Sequence, residues 1–556
     1  MLYQSTRGKG GKISFEEAII KGIADDGGLY VPVRVPKVGP EFIASLAGMD
    51  YVGTAVEIMK LYTANFSERE LRECASRAYN GQSFTSPDIT PLRELDRRVS
   101  VLELFHGPTS AFKDVALQLL PKMLTMAMQK QGVDESVAIL VATSGDTGKA
   151  ALEGYKDVPG TSILVFYPKD GVSEAQKLQM VTQEGGNVAV AAVEGNFDDA
   201  QTGVKAIFAD ADANARLREK GRLLSSANSI NWGRLMPQIV YYFRAYATLL
   251  KRGRIQNGER VRFVVPTGNF GNILAGWYAS EMGLPVSRFI CASNSNNVLS
   301  DFIRTGVYNK NRDFFVTMSP AMDILISSNL ERLLYEMSGR DAGSVARWMG
   351  ELARTGRYDV GEAMRQRLSR LFYGGHASEE ETAQAVGDAY RRYDYILDTH
   401  TAVGMHVLRE YDNASMATGD AAADSAGSGA GAGVSAGCAS CVGRADGDEA
   451  TGNTAANDAY NEKVIVVATA SPYKFAKDVY NAIACGKDSG ADAPDELSYI
   501  DLLASLSGEP APAPLRNLRD KAVLHTTSTT KGDMKQTALD LLTALADQKR
   551  QEDHLK

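Results

Sequence analysis

The sequence predicts a parallel α/β protein of several domains, preceded by a mostly helical N-terminal region. Three observations carry that reading. Apolar runs of strand length recur along the 556 residues, glycine-rich loops follow them, and helical patterns follow the loops. Continuous apolar runs suit strands covered on both faces, as in a parallel sheet. A chain of this length has enough apolar material for several cores.

Residues 1–100 form the mostly helical part. Ser14-Phe15-Glu16-Glu17 is a capping box, and Ile19, Ile20 and Ile23 follow on one face. Asp25-Asp26-Gly27-Gly28 is expected to end that helix and lead into the short run Leu29-Tyr30-Val31. The strand–loop–helix order begins near residue 101. Its runs are Val137-Ala138-Ile139-Leu140-Val141-Ala142, Ser162-Ile163-Leu164-Val165-Phe166-Tyr167, Val188-Ala189-Val190-Ala191-Ala192-Val193, Arg262-Phe263-Val264-Val265 and Val464-Ile465-Val466-Val467-Ala468. Residues 320–395 read as helical and charged. The α/β parts are therefore expected over 101–412 and 463–556. Between them, residues 413–462 (most plainly 413–457) turn to Ala, Gly, Ser, Thr and Asp. Such a stretch buries too little apolar surface to offset its ordering entropy, and it reads as a disordered insertion without a part in the chemistry.

Composition narrows the class. The formal charge of -8 is mild, and scattered Lys and Arg give no stripe for nucleic acid. No run reaches the ~20 apolar residues of a membrane span. The first residues, Met1-Leu2-Tyr3-Gln4-Ser5-Thr6-Arg7-Gly8, lack the apolar core of a secretory signal. Five cysteines in such a chain make no disulfide framework, so a reducing cytoplasm is expected. Cys438-x-x-Cys441 lacks a second Cys or His pair nearby and reads as a chance spacing. No metal ligand set is expected.

The chemistry centres on His106-Gly107-Pro108-Thr109-Ser110-Ala111-Phe112-Lys113-Asp114. Here one lysine follows a turn of small residues and opens an apolar helical run over 115–128. A lysine in such a crowded place can lose its proton and attack a carbonyl, as a lysine holding pyridoxal phosphate must. Pro266-Thr267-Gly268-Asn269-Phe270-Gly271-Asn272 follows a strand and opens a helix near Ile273. Its glycines let backbone N–H groups converge on a phosphate at the helix start. Thr143-Ser144-Gly145-Asp146-Thr147-Gly148-Lys149 is no Walker loop, because two residues separate its glycines and Ala150 follows the lysine. It is a hydroxyl-rich turn at a helix start, suited to a carboxylate or a phosphate. One amine nucleophile and two anion loops match the needs of a phosphorylated cofactor and an anionic substrate.

At this point a resemblance becomes specific. The chain resembles the threonine synthases of the longer bacterial and fungal form. The matching words are Ser5-Thr6-Arg7-Gly8, Asp26-Gly27-Gly28-Leu29-Tyr30-Val31-Pro32, Glu103-Leu104-Phe105-His106-Gly107-Pro108-Thr109 and Phe112-Lys113-Asp114. They continue with Ala142-Thr143-Ser144-Gly145-Asp146-Thr147-Gly148, Asn228-Ser229-Ile230-Asn231-Trp232-Gly233-Arg234 and Gly268-Asn269-Phe270-Gly271-Asn272. Ser319-Pro320-Ala321-Met322-Asp323 and Ala468-Thr469-Ala470-Ser471-Pro472 complete the series.

The resemblance implies the pyridoxal-phosphate fold type II of the tryptophan-synthase β family, with two parallel-sheet α/β domains. By that similarity Lys113 carries the cofactor as a Schiff base. Gly268, Asn269, Phe270, Gly271 and Asn272 hold its phosphate, and Thr469 meets its pyridine nitrogen. Ser144, Gly145, Asp146 and Thr147 take the substrate carboxylate, and Asn228, Asn231 and Arg234 its phosphate. The implied reaction turns O-phospho-L-homoserine and water into L-threonine and phosphate, the last step of threonine biosynthesis, in a carbon–oxygen lyase. A monomer or homodimer is expected. Two departures stand out: the insertion, and Ser471 where some members have His. Two other outcomes fit the same motifs. One is a phospho-lyase giving 2-oxobutyrate, ammonia and phosphate; the other is a protein that binds pyridoxal phosphate without catalysis.

Overall fold

The computed structural model describes residues 1–143, 145–169, 172–418, 462–484 and 495–554. Ser144, Cys438, Cys441 and most of the 413–462 insertion lie outside the described residues.

Two parallel sheets carry the molecule. The first has five strands in the order Thr527–Thr530, Val188–Glu194, Thr161–Pro168, Ser136–Ala142, Arg222–Ser225, all parallel. The second has six, in the order Phe372–His376, Val286–Ser293, Val261–Pro266, Lys463–Ala468, Val99–Glu103, Leu92–Glu94. Only the edge strand Leu92–Glu94 runs antiparallel to its neighbour. All five apolar runs read from the sequence are strands of these sheets. Both faces of the Ser136–Ala142 strand are covered, which explains its unbroken apolar run.

The structure adds strands that polarity conceals. Val99–Glu103 crosses residue 100, so the second sheet already receives strands from the stretch read as N-terminal. Phe372–His376, inside the stretch read as helical, pairs with Val286–Ser293. Its Gly374 and Gly375 lack room for a Cβ, which would approach Ser300 Cα to 2.9 Å and Val407 Cγ1 to 2.4 Å. Close packing of two helices on that strand demands glycine there, at the expense of any apolar signature.

The N-terminal region combines helices with a three-stranded antiparallel sheet of Leu2–Ser5, Ile13–Ser14 and Tyr30–Pro32. The Ser14–Glu17 capping box is formed, but the helix is short. It ends at Lys21 with Gly22 at φ 75°, before Ile23, so the Asp25–Gly28 turn has another task. Asp26 accepts hydrogen bonds from Ser5 Oγ, Gly28 N and Lys9 N at 2.7–2.9 Å and ties the turn to the first strand. The region docks on the long helix Trp232–Lys251. Trp232 meets the rings of Tyr3, Tyr62 and Tyr278 at centroid distances of 5.6, 5.7 and 5.2 Å. Each such pair contributes about 0.5–1.5 kcal/mol beyond area burial.

Candidate active site

Adjacent strands of the second sheet bring two site segments to one edge. Val261–Pro266, Lys463–Ala468 and Val99–Glu103 lie side by side and parallel. Their carboxyl ends lead to the Gly268–Asn272 loop, to Thr469 and to the segment ending at Lys113. Ser136–Ala142 of the first sheet leads likewise to Thr143–Lys149. Ligands in open α/β sheets bind at such ends.

Lys113 sits on a turn locked from below. Asp114 Oδ2 accepts from Thr109 N at 2.8 Å and its Oδ1 from the Thr109 hydroxyl at 2.6 Å. Burial pushes the Asp114 carboxyl up to about 6, against those donors. Gly107 packs so closely on Asp114 that a Cβ would come within 2.4 Å of the Asp114 Cβ. Ser110 adopts φ 57°, uncommon without glycine. On its other side the turn pairs with the segment after the Lys463–Ala468 strand. Phe112 N donates to Thr469 O at 2.8 Å, and Ser471 N to Ser110 O at 3.0 Å. Thr469 is thus fixed one residue from Lys113 across a two-stranded bridge. The Lys113 helix is short, Lys113–Leu117; a second helix, Leu120–Gln131, restarts with Pro121 in its first turn. The single run expected over 115–128 is broken there.

The amine of Lys113 lies 3.5 Å from Asp146 Oδ2, and its side chain is 11% exposed. Lys474 stands on the other oxygen, 2.6 Å from Asp146 Oδ1, and is fully enclosed. Lys474 also donates to Thr109 O at 3.1 Å, and Gln176 Nε2 donates to Asp146 Oδ1 at 3.0 Å. Burial lowers the Lys113 pKa; Asp146 works against that, while the positive charges of Lys474 and Arg234 add to it. Burial alone would raise Asp146, but Lys474 and Lys113 outweigh it and hold the carboxyl well below the usual range. An amine so placed reaches its neutral, nucleophilic form more readily than a surface lysine.

Asp146 therefore departs from the role expected of it. Its carboxylate is engaged by two lysines and a glutamine, so only its backbone N–H, at the start of the helix Asp146–Tyr155, is suited to an anion. Gly145, at φ 139°, supplies the turn before it. Thr143 Oγ1 accepts from the N–H of Gly145 and Gly148 at 3.0 and 2.8 Å and shapes the loop. Lys149 points away, 3.0 Å from Glu153 Oε2.

The Gly268–Asn272 loop opens the helix Gly271–Met282. A Cβ on Gly268 would lie 2.6 Å from Ala321 O, and Phe270 takes φ 60°. Asn329 clamps the loop from behind: its backbone N–H and its Nδ2 each donate to Asn269 O at 3.1 Å. The same Nδ2 donates to Ser229 Oγ at 3.0 Å, joining this loop to the Asn228–Arg234 segment. Asn272 turns its Oδ1 to the hydroxyls of Tyr241 and Tyr242 at 2.6 and 2.9 Å, leaving its Nδ2 buried without a hydrogen-bond partner. Such a donor, a glycine cradle and a depressed lysine suit a phosphorylated aldehyde cofactor.

The Asn228–Arg234 segment divides by function. Asn231 caps the Trp232–Lys251 helix through Gly233 N and donates to Ile19 O and Ser226 O, so both its side-chain donors are spent and none is left for a phosphate. Asn228 Oδ1 and Arg234 Nε, by contrast, are buried without hydrogen-bond partners. Burial lowers the Arg234 pKa to about 10.

Four residues here carry no recognisable spacing in the sequence: Asn329, Arg332, His400 and Lys474. Arg332 is completely buried and donates to Tyr30 O, Ser229 O, Ile230 O and Asn329 Oδ1. His400 Nε2 accepts from Ala321 N at 3.1 Å, which puts the ring proton on Nδ1, 2.9 Å from Asp398 Oδ1. Its ring packs on Phe475, 4.8 Å between centroids.

Comparison with known proteins points to one family. The family described as Threonine synthase N terminus matches residues 2–79, and the family described as Pyridoxal-phosphate dependent enzyme matches residues 85–364. A threonine synthase of Pseudomonas aeruginosa is 42% identical over 411 residues, covering 74% of this chain and 84% of that protein. A crystal structure of threonine synthase from Brucella melitensis with pyridoxal phosphate bound superposes with a TM-score of 0.78 at 33% identity, covering 98% of this chain and 99% of that one. Threonine synthase from yeast gives 0.79 at 32% identity over 98% and 99% of the two chains. Matched in both segments and along nearly its whole length, the chain belongs to the threonine synthase family of pyridoxal-phosphate-dependent enzymes.

Proposed function

We propose that this chain converts O-phospho-L-homoserine and water to L-threonine and phosphate, with Lys113 as its catalytic residue. One observation carries the reading: a buried lysine of lowered pKa, 3.5 Å from Asp146, where the carboxyl ends of strands from both sheets converge. Lys113 would hold pyridoxal phosphate through its amine, Gly268 to Asn272 would take the cofactor phosphate, and Thr469 would meet its ring nitrogen. The cofactor, when bound, supplies an electron sink for negative charge at the substrate Cα.

The remaining work falls to the chain. The N–H groups of Asp146 and Thr147 take the substrate carboxylate together with Ser144, and Gly145, whose N–H is held by Thr143 Oγ1, supplies the turn that presents them. Asn228 and Arg234 take its phosphate, and Asn231 holds that segment in place. Lys113 Nζ would remove the Cα proton and then a Cβ proton. Phosphate leaves from Cγ, protons return to the carbon skeleton, and water adds at Cβ. A neutral hydroxyl at Thr469 would meet the ring nitrogen without a formal charge, which would restrain competing chemistry such as transamination.

The enzyme is proposed to work in the cytoplasm as a monomer or homodimer, without a nucleic-acid partner. A charge of -8 and dispersed Lys and Arg support the last point. Among the described residues no helix is long and apolar enough to cross a membrane.

Product analysis tests the reaction. Holoenzyme given O-phospho-L-homoserine is expected to release threonine and phosphate in equal amounts. Accumulation of 2-oxobutyrate and ammonia would assign the chain to the lyase outcome, and absence of any turnover to cofactor binding alone.

A further inference from the structure

We propose that Glu381, His406 and Glu410 form a binding site for one divalent transition ion of the zinc class, clamping the helices Glu379–Tyr393 and Thr399–Thr418 together. The two ligands on the second helix are four residues apart and so share one face. Glu381 reaches them from the first turn of the other helix. Its Oε2 accepts from Ser378 N at 2.9 Å in a capping box, which aims Oε1 at the histidine.

Distances and chemistry support the site. His406 Nε2 lies 3.6 Å from Glu381 Oε1 and 3.5 Å from Glu410 Oε1, and one donor atom from each residue falls within 4.8 Å of the others. Tetrahedral ligands about 2.0–2.1 Å from a zinc ion stand about 3.3 Å from one another. The spacing around His406 is thus close to that of a ligated ion and too long for good hydrogen bonds. The His406 side chain is only 5% exposed, and its Nε2 is buried without a hydrogen-bond partner. A nitrogen so placed calls for a ligand. The carboxylates are 43% and 45% exposed, so an ion can enter from solvent and keep a water as its fourth ligand. One imidazole and two carboxylates favour zinc-class ions over magnesium or calcium, which prefer oxygen throughout.

One neighbour must adjust. Arg409 Nη2 faces His406 Nδ1 at 3.2 Å and donates to it when Nε2 bears the proton. With an ion on Nε2 the proton moves to Nδ1, and Arg409, half exposed, keeps its pairing with Asp388 at 3.2 Å. The clamp also bears on the proposed active site, because the same helix carries His400, which holds Ala321 against Gly268. The proposal departs from the expectation, drawn from sequence, of no metal ligands.

The test uses metal-stripped holoenzyme with Zn²⁺ and Co²⁺ as probes. One equivalent of Zn²⁺ is expected to bind and to raise the thermal unfolding midpoint. Co²⁺ at the site should show weak d–d bands without a thiolate charge-transfer band. Glu410→Gln, at an exposed position, should weaken binding by at least about tenfold and remove the thermal shift; His406→Gln should do the same. Uptake unchanged in Glu410→Gln, a thiolate band pointing to the cysteines, or no uptake at all would each overturn the proposal. None of these readouts depends on turnover.

Discussion

Replacing Lys113 by alanine is expected to abolish threonine formation and remove the visible absorbance of bound cofactor. The proposal gives this side chain two tasks, holding the aldehyde and moving protons on the substrate, and alanine can do neither. The other amine on Asp146, Lys474, cannot take over. It is fully enclosed, paired with Asp146 at 2.6 Å, and committed to Thr109 O. The loss is therefore expected to exceed the 10²–10⁴-fold effect typical of removing a general base alone. Absorbance and single-turnover assays of the purified variant check both halves. A visible band persisting in Lys113→Ala would move the cofactor to another lysine.

The second large effect concerns Asp146. Asp146→Asn keeps the shape but removes the only carboxylate within ion-pair distance of Lys474 among the described residues. Leaving a buried charge without its partner costs about 3–5 kcal/mol. The variant should unfold at markedly lower urea concentration at pH 7. The pH dependence follows from sign. The folded carboxyl is held below its unfolded value, so its stabilisation is complete above an unfolded pKa of ~3.9 and is lost as pH falls from there toward the folded value. Parent and variant curves should therefore diverge above about pH 4 and converge in stronger acid. Equal stability at pH 7 would show that Lys474 does not depend on this carboxylate.

The legible and illegible parts of the chain differ for physical reasons. Strands such as Ser136–Ala142 announce themselves because both faces are covered and every position from Val137 to Ala142 is apolar. The segments around Gly268 and Lys113 are legible because each is a short contiguous turn of small residues that follows a strand and opens a helix. Phe372–His376 hides because close packing puts glycines where apolar residues would mark a strand. Lys474, Asn329 and Arg332 hide because each acts across more than 50 residues of sequence, on Asp146, Asn269 and Tyr30. Nothing in their immediate neighbours distinguishes them from surface residues. Asn231 is the reverse case, a residue in a family motif whose hydrogen bonds are spent on a helix cap and on Ile19. The Glu381, His406 and Glu410 group hides for both reasons, since a helical spacing of four supplies two of its members and a second helix the third.

The central claim is that one particular amine carries the cofactor. Borohydride reduction of the holoenzyme, which fixes pyridoxal phosphate covalently to the amine that bears it, followed by peptide mapping, tests this most directly. The expected result is a single modified peptide with the label on Lys113. Label on Lys474, or spread over surface lysines with Lys113 unmodified, would contradict the account.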